Sequence, residues 1–112
     1  MTQLKYGVLL TKSAEQDLES IYDYIAEFDS PKHADQLLNQ LTRVIEALSQ
    51  NPERGNYPKE LSALGIREHR QTFCKPYRII YRIIQTKVVI YLIVDGRRNM
   101  QSVLERRLLT SL

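Results

Sequence analysis

Few side chains in this sequence could do chemistry, and their spacing does not favour it. The two histidines, His33 and His69, are not at metal-ligand spacing, and the single cysteine, Cys74, forms no CxxC pair. No metal site and no cofactor are therefore expected. His33 follows Lys32 in a helical stretch and is expected in solvent; His69 lies between charged neighbours and is expected to be structural or at the surface. There is no glycine-rich phosphate loop and no serine in a nucleophile motif. Asp95-Gly96 closes an apolar run, a place for either a functional residue or an ordinary turn. Arg54, Lys59 and Glu60, in a long loop, could form a polar site. No catalytic residue is assigned on these grounds.

Arginines are the more suggestive chemistry. In the run YRIIYRII, alternation sends Tyr77, Ile79, Tyr81 and Ile83 to one face of a strand and Arg78, Ile80, Arg82 and Ile84 to the other. The first set suits packing on helices. The second suits a partly open face with two arginines over an apolar floor. Arg67 and Arg70 on the preceding strand, and Arg97 and Arg98 after the last one, could join them. Guanidinium forks grip phosphates and carboxylates and stack on planar groups. Individual arginines could instead pair with Glu68, Asp95 or Glu105 and only stabilise the fold.

The elements that must position these residues follow from periodicity. Leu4 to Leu10 is a strand. A helix follows, capped by Thr11 or Ser13, with Ala14, Leu18, Ile21, Tyr22 and Ile25 at helical spacing. Ser30 and Pro31 are an N-cap and a first helical residue, opening a helix with Ala34, Leu37, Leu38, Leu41, Ile45 and Leu48 as its apolar stripe. The short break between the helices predicts an antiparallel hairpin. Residues 51–65 form a loop with one helical turn at Lys59 to Leu64. Strands are expected over Ile66–Phe73, Tyr77–Ile84 and Val88–Val94, the last being central because it is apolar on both faces. Asn99 caps a short final helix carrying Met100, Val103, Leu104 and Leu108. The expected fold is α+β, in the order β-α-α-β-β-β-α: a helical hairpin on a small, mainly antiparallel four-stranded sheet.

With 112 residues, 43% hydrophobic and 26% charged, the chain is expected to be one domain over residues 1–112 with a core of its own. That composition excludes a disordered tail and a collagen-like repeat. Charge is polarised. Residues 1–64 carry 6 Lys/Arg against 10 Asp/Glu, a net −4; residues 65–112 carry 10 against 3, a net +7. An acidic partner for the back half, either nucleic acid or a protein segment, would fit, as would a solvated basic face. The lone cysteine and the lack of a signal-like or membrane-length apolar run make the cytoplasm the expected location.

Several segments together resemble the RelE/ParE superfamily of bacterial toxins. VLLTKSAEQDLESIYDYI is similar to its opening strand and helix, LGIREHRQTFCKPYRIIYRI to its second and third strands, and VVIYLIVDGRRNM to its last strand and Gly-Arg-Arg exit. The resemblance spans about Tyr6 to Met100, in order. It implies a toxin neutralised by a small antitoxin, a monomer or dimer alone and a hetero-oligomer with its antitoxin, meeting operator DNA only through that antitoxin.

Two activities occur on this fold, so fold alone cannot choose. RelE-like members cleave messenger RNA in the ribosomal A site; ParE-like members inhibit DNA gyrase and trap its cleaved DNA. RelE-like members usually have a tyrosine or histidine near the C-terminus, and here none follows Tyr91. The GRR exit also looks more like ParE. The resemblance thus implies a non-enzymatic gyrase inhibitor with a ParD-like antitoxin. An mRNA endonuclease and a non-toxic antitoxin-binding module or corepressor are the alternatives. Arg97, Arg98 and Met100 are the expected gyrase contacts. Leu18, Ile21, Tyr22, Leu37, Leu38 and Leu41 are the expected antitoxin contacts, and Arg67, Arg70, Arg78 and Arg82 form the expected basic face.

Overall fold

Capping chemistry sets where the helices begin. In the computed structural model, which describes residues 5–109, Thr11 rather than Ser13 caps the first helix, α1 (Lys12–Phe28), its hydroxyl accepting from the Ala14 N–H at 3.1 Å. Ser30 caps α2 (Pro31–Ala47), accepting from His33 N–H at 3.1 Å, with Pro31 at the first turn. Two residues separate these helices, so they fold back on each other as the expected hairpin.

Strand β1 (Gly7–Leu10) precedes the hairpin; β2 (Arg70–Cys74), β3 (Tyr77–Ile84) and β4 (Lys87–Asp95) follow it. The sheet order is β1-β4-β3-β2. Strands β2, β3 and β4 form an antiparallel meander, and β1 returns parallel to β4. The apolar β4 is central, as its composition predicts. Leu4 lies outside the described residues, and β1 begins at Gly7, opposite Lys87, where its partner strand begins.

The expected strand Ile66–Phe73 is shortened to Arg70–Cys74, because Ile66 ends a helix instead. After α3 (Lys59–Ser62), Gly65 adopts φ 77° and the Ile66 N–H donates to Leu61 O at 2.9 Å. That is a glycine-terminated helix stop, in which Ile66 folds back onto the same apolar cluster as Leu61.

Two cores sandwich the sheet. On one face Ile79, Tyr81, Val88, Ile90 and Ile93 pack on Ala14, Leu41, Ile45 and Leu48 of the hairpin segment. On the other, Ile80, Leu92 and Val94 meet Leu61, Met100, Val103 and Leu104. The second face of β3 is therefore not an open floor: α3 and the last helix, α4 (Met100–Leu104), cover it. The final helix is shorter than its pattern suggests and passes into a π turn at Glu105–Leu109.

A bulge lets β4 serve both cores. Ile80 pairs with Leu92 and Tyr81 with Ile90, leaving Tyr91 as the extra residue. Parity shifts there: Val88 and Ile90 point to the hairpin before it, Ile93 after it.

Beyond Ile90, β4 has outrun β1, and side chains take up exposed backbone groups. Asp17 accepts from the Ile93 N–H at 3.1 Å and from both terminal nitrogens of Arg107 at 2.8 and 2.9 Å; Arg107 also donates to Tyr91 O at 3.2 Å. This cluster ties α1, the bulge and the C-terminal turn together. Asp17→Ala should destabilise the protein by about 2 kcal/mol, since charge-assisted bonds are lost and a backbone N–H is stranded. Urea denaturation checks this, and in an Arg107→Ala background the same substitution should cost less.

Candidate functional site

The end of β4 is shaped by a close backbone approach. Gly96 N–H donates to Pro76 O at 2.8 Å, and a Cβ on Gly96 would lie 2.9 Å from Arg78 Cδ and 3.2 Å from that carbonyl. The tight turn sends Arg97 and Arg98 out into solvent. Arg97 is anchored: its Nε and Nη2 grip the Asp95 carboxylate, with the shortest bond 2.6 Å, while its side chain stays 77% exposed. The guanidinium holds the Asp95 carboxyl below its usual range, and the carboxylate in turn raises Arg97. Such an exposed pair adds little stability; its effect is to fix where the cation stands. Arg98 is exposed; its backbone N–H donates to Asp95 O at 3.1 Å, while its side chain makes no hydrogen bond or ion pair among the described residues. Met100, expected beside them as a contact, is instead buried in the second core, because the Asn99 cap turns the helix inward at that point.

Below these arginines lies a cavity of about 540 Å³ between α1 and the sheet, walled by Ile21, Tyr24 and Ile25 on one side and Tyr77 and Ile93 on the other. Burial and the neighbouring Asp95 push the Tyr77 phenol up. Tyr24 and Phe28, with ring centroids 4.8 Å apart, are 63% and 69% exposed where α1 ends. Sequence reasoning passed over this pair. The signal was there: two aromatics four residues apart, off the stripe of Ala14, Leu18, Ile21 and Ile25.

The hairpin residues divide into two groups. Leu41 is fully buried and is a core residue, not a contact, because its position in the stripe faces the sheet. Ile21 and Leu37 are half-buried against the same core. Leu18, Tyr22 and Leu38 line a shallow apolar groove of about 290 Å³ between the helices, rimmed by Glu15 and Glu19. Tyr22 donates to Asp35 at 2.7 Å across the hairpin, which raises the phenol's pKa and fixes the groove wall.

The arginines expected on one sheet face do not gather. Arg78 is buried: its guanidinium binds both oxygens of Glu60 at 2.9 Å and also donates to Gln71 Oε1. Arg70, opposite Tyr81 in the register, points to the other face, where it donates to Glu53 O and Gly55 O and lies 4.7 Å from the Tyr57 ring centre. Arg82 is half-buried, and Arg67 is exposed in the loop before β2. Alternation put Arg78 on its face correctly, but nothing local showed that Glu60 would come to meet it. Tyr81 packs on the hairpin side, where its hydroxyl donates to Pro52 O at 2.6 Å and accepts from Gly55 N–H at 3.1 Å.

His69 packs edge-on against Tyr91, centroids 5.4 Å apart, with Nδ1 buried and unbonded. Burial, then Arg82, lowers its pKa, against a weaker opposing pull from Glu68. His33 is exposed and bonded to Asp29 at 2.7 Å. Among the described residues no cluster of three or more metal-ligating side chains forms, and no helix is long and apolar enough to cross a membrane.

A helical hairpin on a mixed sheet of this kind recurs in solved structures of toxin–antitoxin systems. A chain of the chromosomal ParDE TA system from P. aeruginosa matches with a TM-score of 0.69 at 18% identity, covering 84% of this chain and 98% of that one. A chain of the toxin–antitoxin complex RelBE2 from Mycobacterium tuberculosis matches at 0.59 and 22% identity, covering 84% and 94%. At such identities the likeness is one of fold.

Sequence carries the family. The family model for the ParE toxin of the type II toxin–antitoxin system parDE matches residues 8–100. Toxin ParE3 of Caulobacter vibrioides is 32% identical over 101 residues, spanning 89% of this chain and 96% of that protein. This chain belongs to the ParE toxin family of type II toxin–antitoxin systems.

Proposed function

We propose that this toxin inhibits DNA gyrase without chemistry of its own, stabilises gyrase-cleaved DNA and so blocks replication in the cytoplasm. The family match over residues 8–100 carries the reading. A poison of this kind needs only to bind one state of its target better than another. Raising a cleaved complex from about one in a hundred to an even population needs roughly 100-fold tighter binding to that state, about 2.7 kcal/mol. A few well-placed arginines at an interface can supply that. The exit offers Arg97, pre-set on Asp95, and Arg98, with no ion pair to break among the described residues.

A ParD-like antitoxin is the proposed neutralising partner, with an amphipathic helix placed in the groove of Leu18, Tyr22 and Leu38.

The test is plasmid supercoiling by purified gyrase, titrated with antitoxin-free toxin, with cleaved DNA scored after protein digestion. Loss of supercoiling with accumulating cleaved DNA is expected. Replacing both exit residues, Arg97→Glu with Arg98→Glu, should weaken inhibition by roughly tenfold or more, the effect of losing about 1.4 kcal/mol. Full inhibition by a folded double variant would remove the exit from the site. No effect from the folded wild-type toxin would sink the gyrase reading.

A further inference from the structure

One carboxylate at the end of β4 organises both the backbone turn and the cation that leaves it. Asp95 Oδ1 accepts the Arg97 backbone N–H at 2.9 Å, so the acid shapes the turn two residues on. The same oxygen accepts from Arg97 Nε at 3.0 Å, and Oδ2 accepts from Nη2 at 2.6 Å. The acid is itself well seated. Asp95 is paired with Tyr77 in the sheet register, its carbonyl accepts the Arg98 N–H at 3.1 Å, and the Gly96 N–H that follows is bonded to Pro76 O at 2.8 Å. Only 26% of the Asp95 side chain is exposed, against 77% for Arg97. A fixed acid therefore carries a protruding cation.

Which edge of that cation is occupied decides what it can still bind. A guanidinium has a side edge, Nε with Nη2, and an end edge, Nη1 with Nη2. Asp95 takes the side edge of Arg97. Nη1 makes no hydrogen bond among the described residues, so the end edge stays open. That edge presents two parallel N–H groups, which match two oxygens of a phosphate or carboxylate. Arg98 has the same chemistry but no anchor on its side chain among the described residues.

Anchoring weakens the field of the exit. As a pair, Asp95 and Arg97 are neutral, and together they attract an anion less than an unpaired arginine would. The pairing favours binding only where orientation counts for more than charge, because a long side chain that is already ordered loses little freedom at an interface. We propose that Asp95 is a positioning residue for gyrase inhibition, holding Arg97 so that its open end edge meets one oxyanion of the gyrase–DNA complex. The inference rests on the gyrase reading of the exit, and it gives the acid a role that its own charge would oppose.

The test is the supercoiling titration repeated with Asp95→Asn. The amide oxygen can still accept the Arg97 backbone N–H, so the turn is kept, while the charged two-oxygen grip is lost. The substitution raises the net charge from +3 by one unit. If charge governed the exit, this variant would inhibit more strongly. Positioning predicts the reverse: roughly fivefold more toxin for half-inhibition, the effect of one rotamer-rich side chain left to be ordered on binding. Asp95→Glu keeps both oxygens and should recover part of the loss. In an Arg97→Ala background Asp95→Asn should cause no further loss; in an Arg98→Ala background it should cause the full one. The pair is exposed, so melting temperatures should stay near the wild-type value. Nitrogen-15 NMR gives a readout without gyrase: the Arg97 Nε–H should be rigid in the wild-type chain and mobile in Asp95→Asn. Binding of labelled toxin to gyrase with and without DNA locates the oxyanion, since an Asp95→Asn effect seen only with DNA marks a phosphate and one seen in both marks a carboxylate.

An Asp95→Asn protein as potent as the wild type, or more potent, would overturn the proposal. So would an equal loss in the absence of Arg97, or an Arg97 Nε–H already mobile in the wild-type chain. Each of these results leaves the gyrase reading standing, whereas a folded wild-type toxin without effect on gyrase would sink both.

Discussion

Replacing Arg78 with methionine is expected to cost about 3–5 kcal/mol, because it leaves the Glu60 carboxylate facing a buried site with no counter-charge. Arg78 is 9% exposed, and the Glu60 side chain only 15%. Adding Glu60→Met to the same protein should recover part of the loss, since a buried pair replaced by apolar groups of similar volume is often nearly neutral. Urea denaturation of the two single variants and the double one gives the coupling. Equal losses in Arg78→Met and in the double variant would mean that the carboxylate finds water without help.

The same pair makes acid stability diagnostic. Its hydrogen bonds with Arg78 hold Glu60 below its ordinary value of 4.5, outweighing the opposite effect of burial. A depressed carboxyl contributes stability that is fully present above the ordinary value and is lost as pH falls through the folded value. The native protein should therefore lose stability in that acidic window. In Arg78→Met both Arg78 contributions are lost, leaving burial opposed by the Glu60 backbone hydrogen bond and by Lys59, so the Glu60 pKa should rise and the loss of stability in acid should shrink.

The second large effect is expected at Gly55. A Cβ there would sit well inside 3.0 Å of both the Gln71 carbonyl and the Tyr81 hydroxyl. The carbonyl belongs to β2 and cannot swing away. It is fixed by an isolated bridge in which Asn56 and Gln71 exchange backbone bonds of 3.2 and 2.7 Å. Gly55→Ala should destabilise by about 3 kcal/mol through overpacking and broken Tyr81 bonds. That corresponds to a melting temperature lower by on the order of 10 °C. Tyr81→Phe in the same chain should not rescue it, since the carbonyl clash remains. A rescue would show that the hydroxyl alone sets the spacing.

Much of this architecture was legible in the sequence because local rules are strong there. The hairpin follows from two caps and two apolar stripes, β4 from an unbroken apolar run, and the hairpin-facing side of β3 from alternation. The errors came from contacts made at long range. Ile66 looked like strand, and Gly65 gave no local warning that a helix would end there in left-handed geometry. Arg78 looked like part of a basic surface, since Glu60 is distant in sequence and meets it only when α3 folds over the sheet. Met100 was grouped with the arginines before it, although the Asn99 cap turns it into the core. The Asp17–Arg107 pair joins residues from opposite ends of the chain, and no periodicity connects them. For the site, the sequence marked Arg97 and Arg98 at the exit of the last strand, where the structure finds them exposed; the spacing of Tyr24 and Phe28 was readable, while the exposure of Tyr57 and Phe73 needed the structure to be seen.

The extra residue at Tyr91 has an evolutionary consequence. Because parity changes at that point, the length of β4 is constrained more tightly than its composition. Swapping one aliphatic residue for another on either side leaves each side chain in its own core. Deleting one residue would turn everything after it by half a pleat, taking Ile93 away from the hairpin and Val94 away from Met100 and Val103. It would also misdirect the arginines at the end of the strand. Relatives that keep this exit should therefore vary freely in which apolar residues fill the strand but keep the number of residues between Ile90 and Gly96 unchanged. A length change there should appear only with a compensating one.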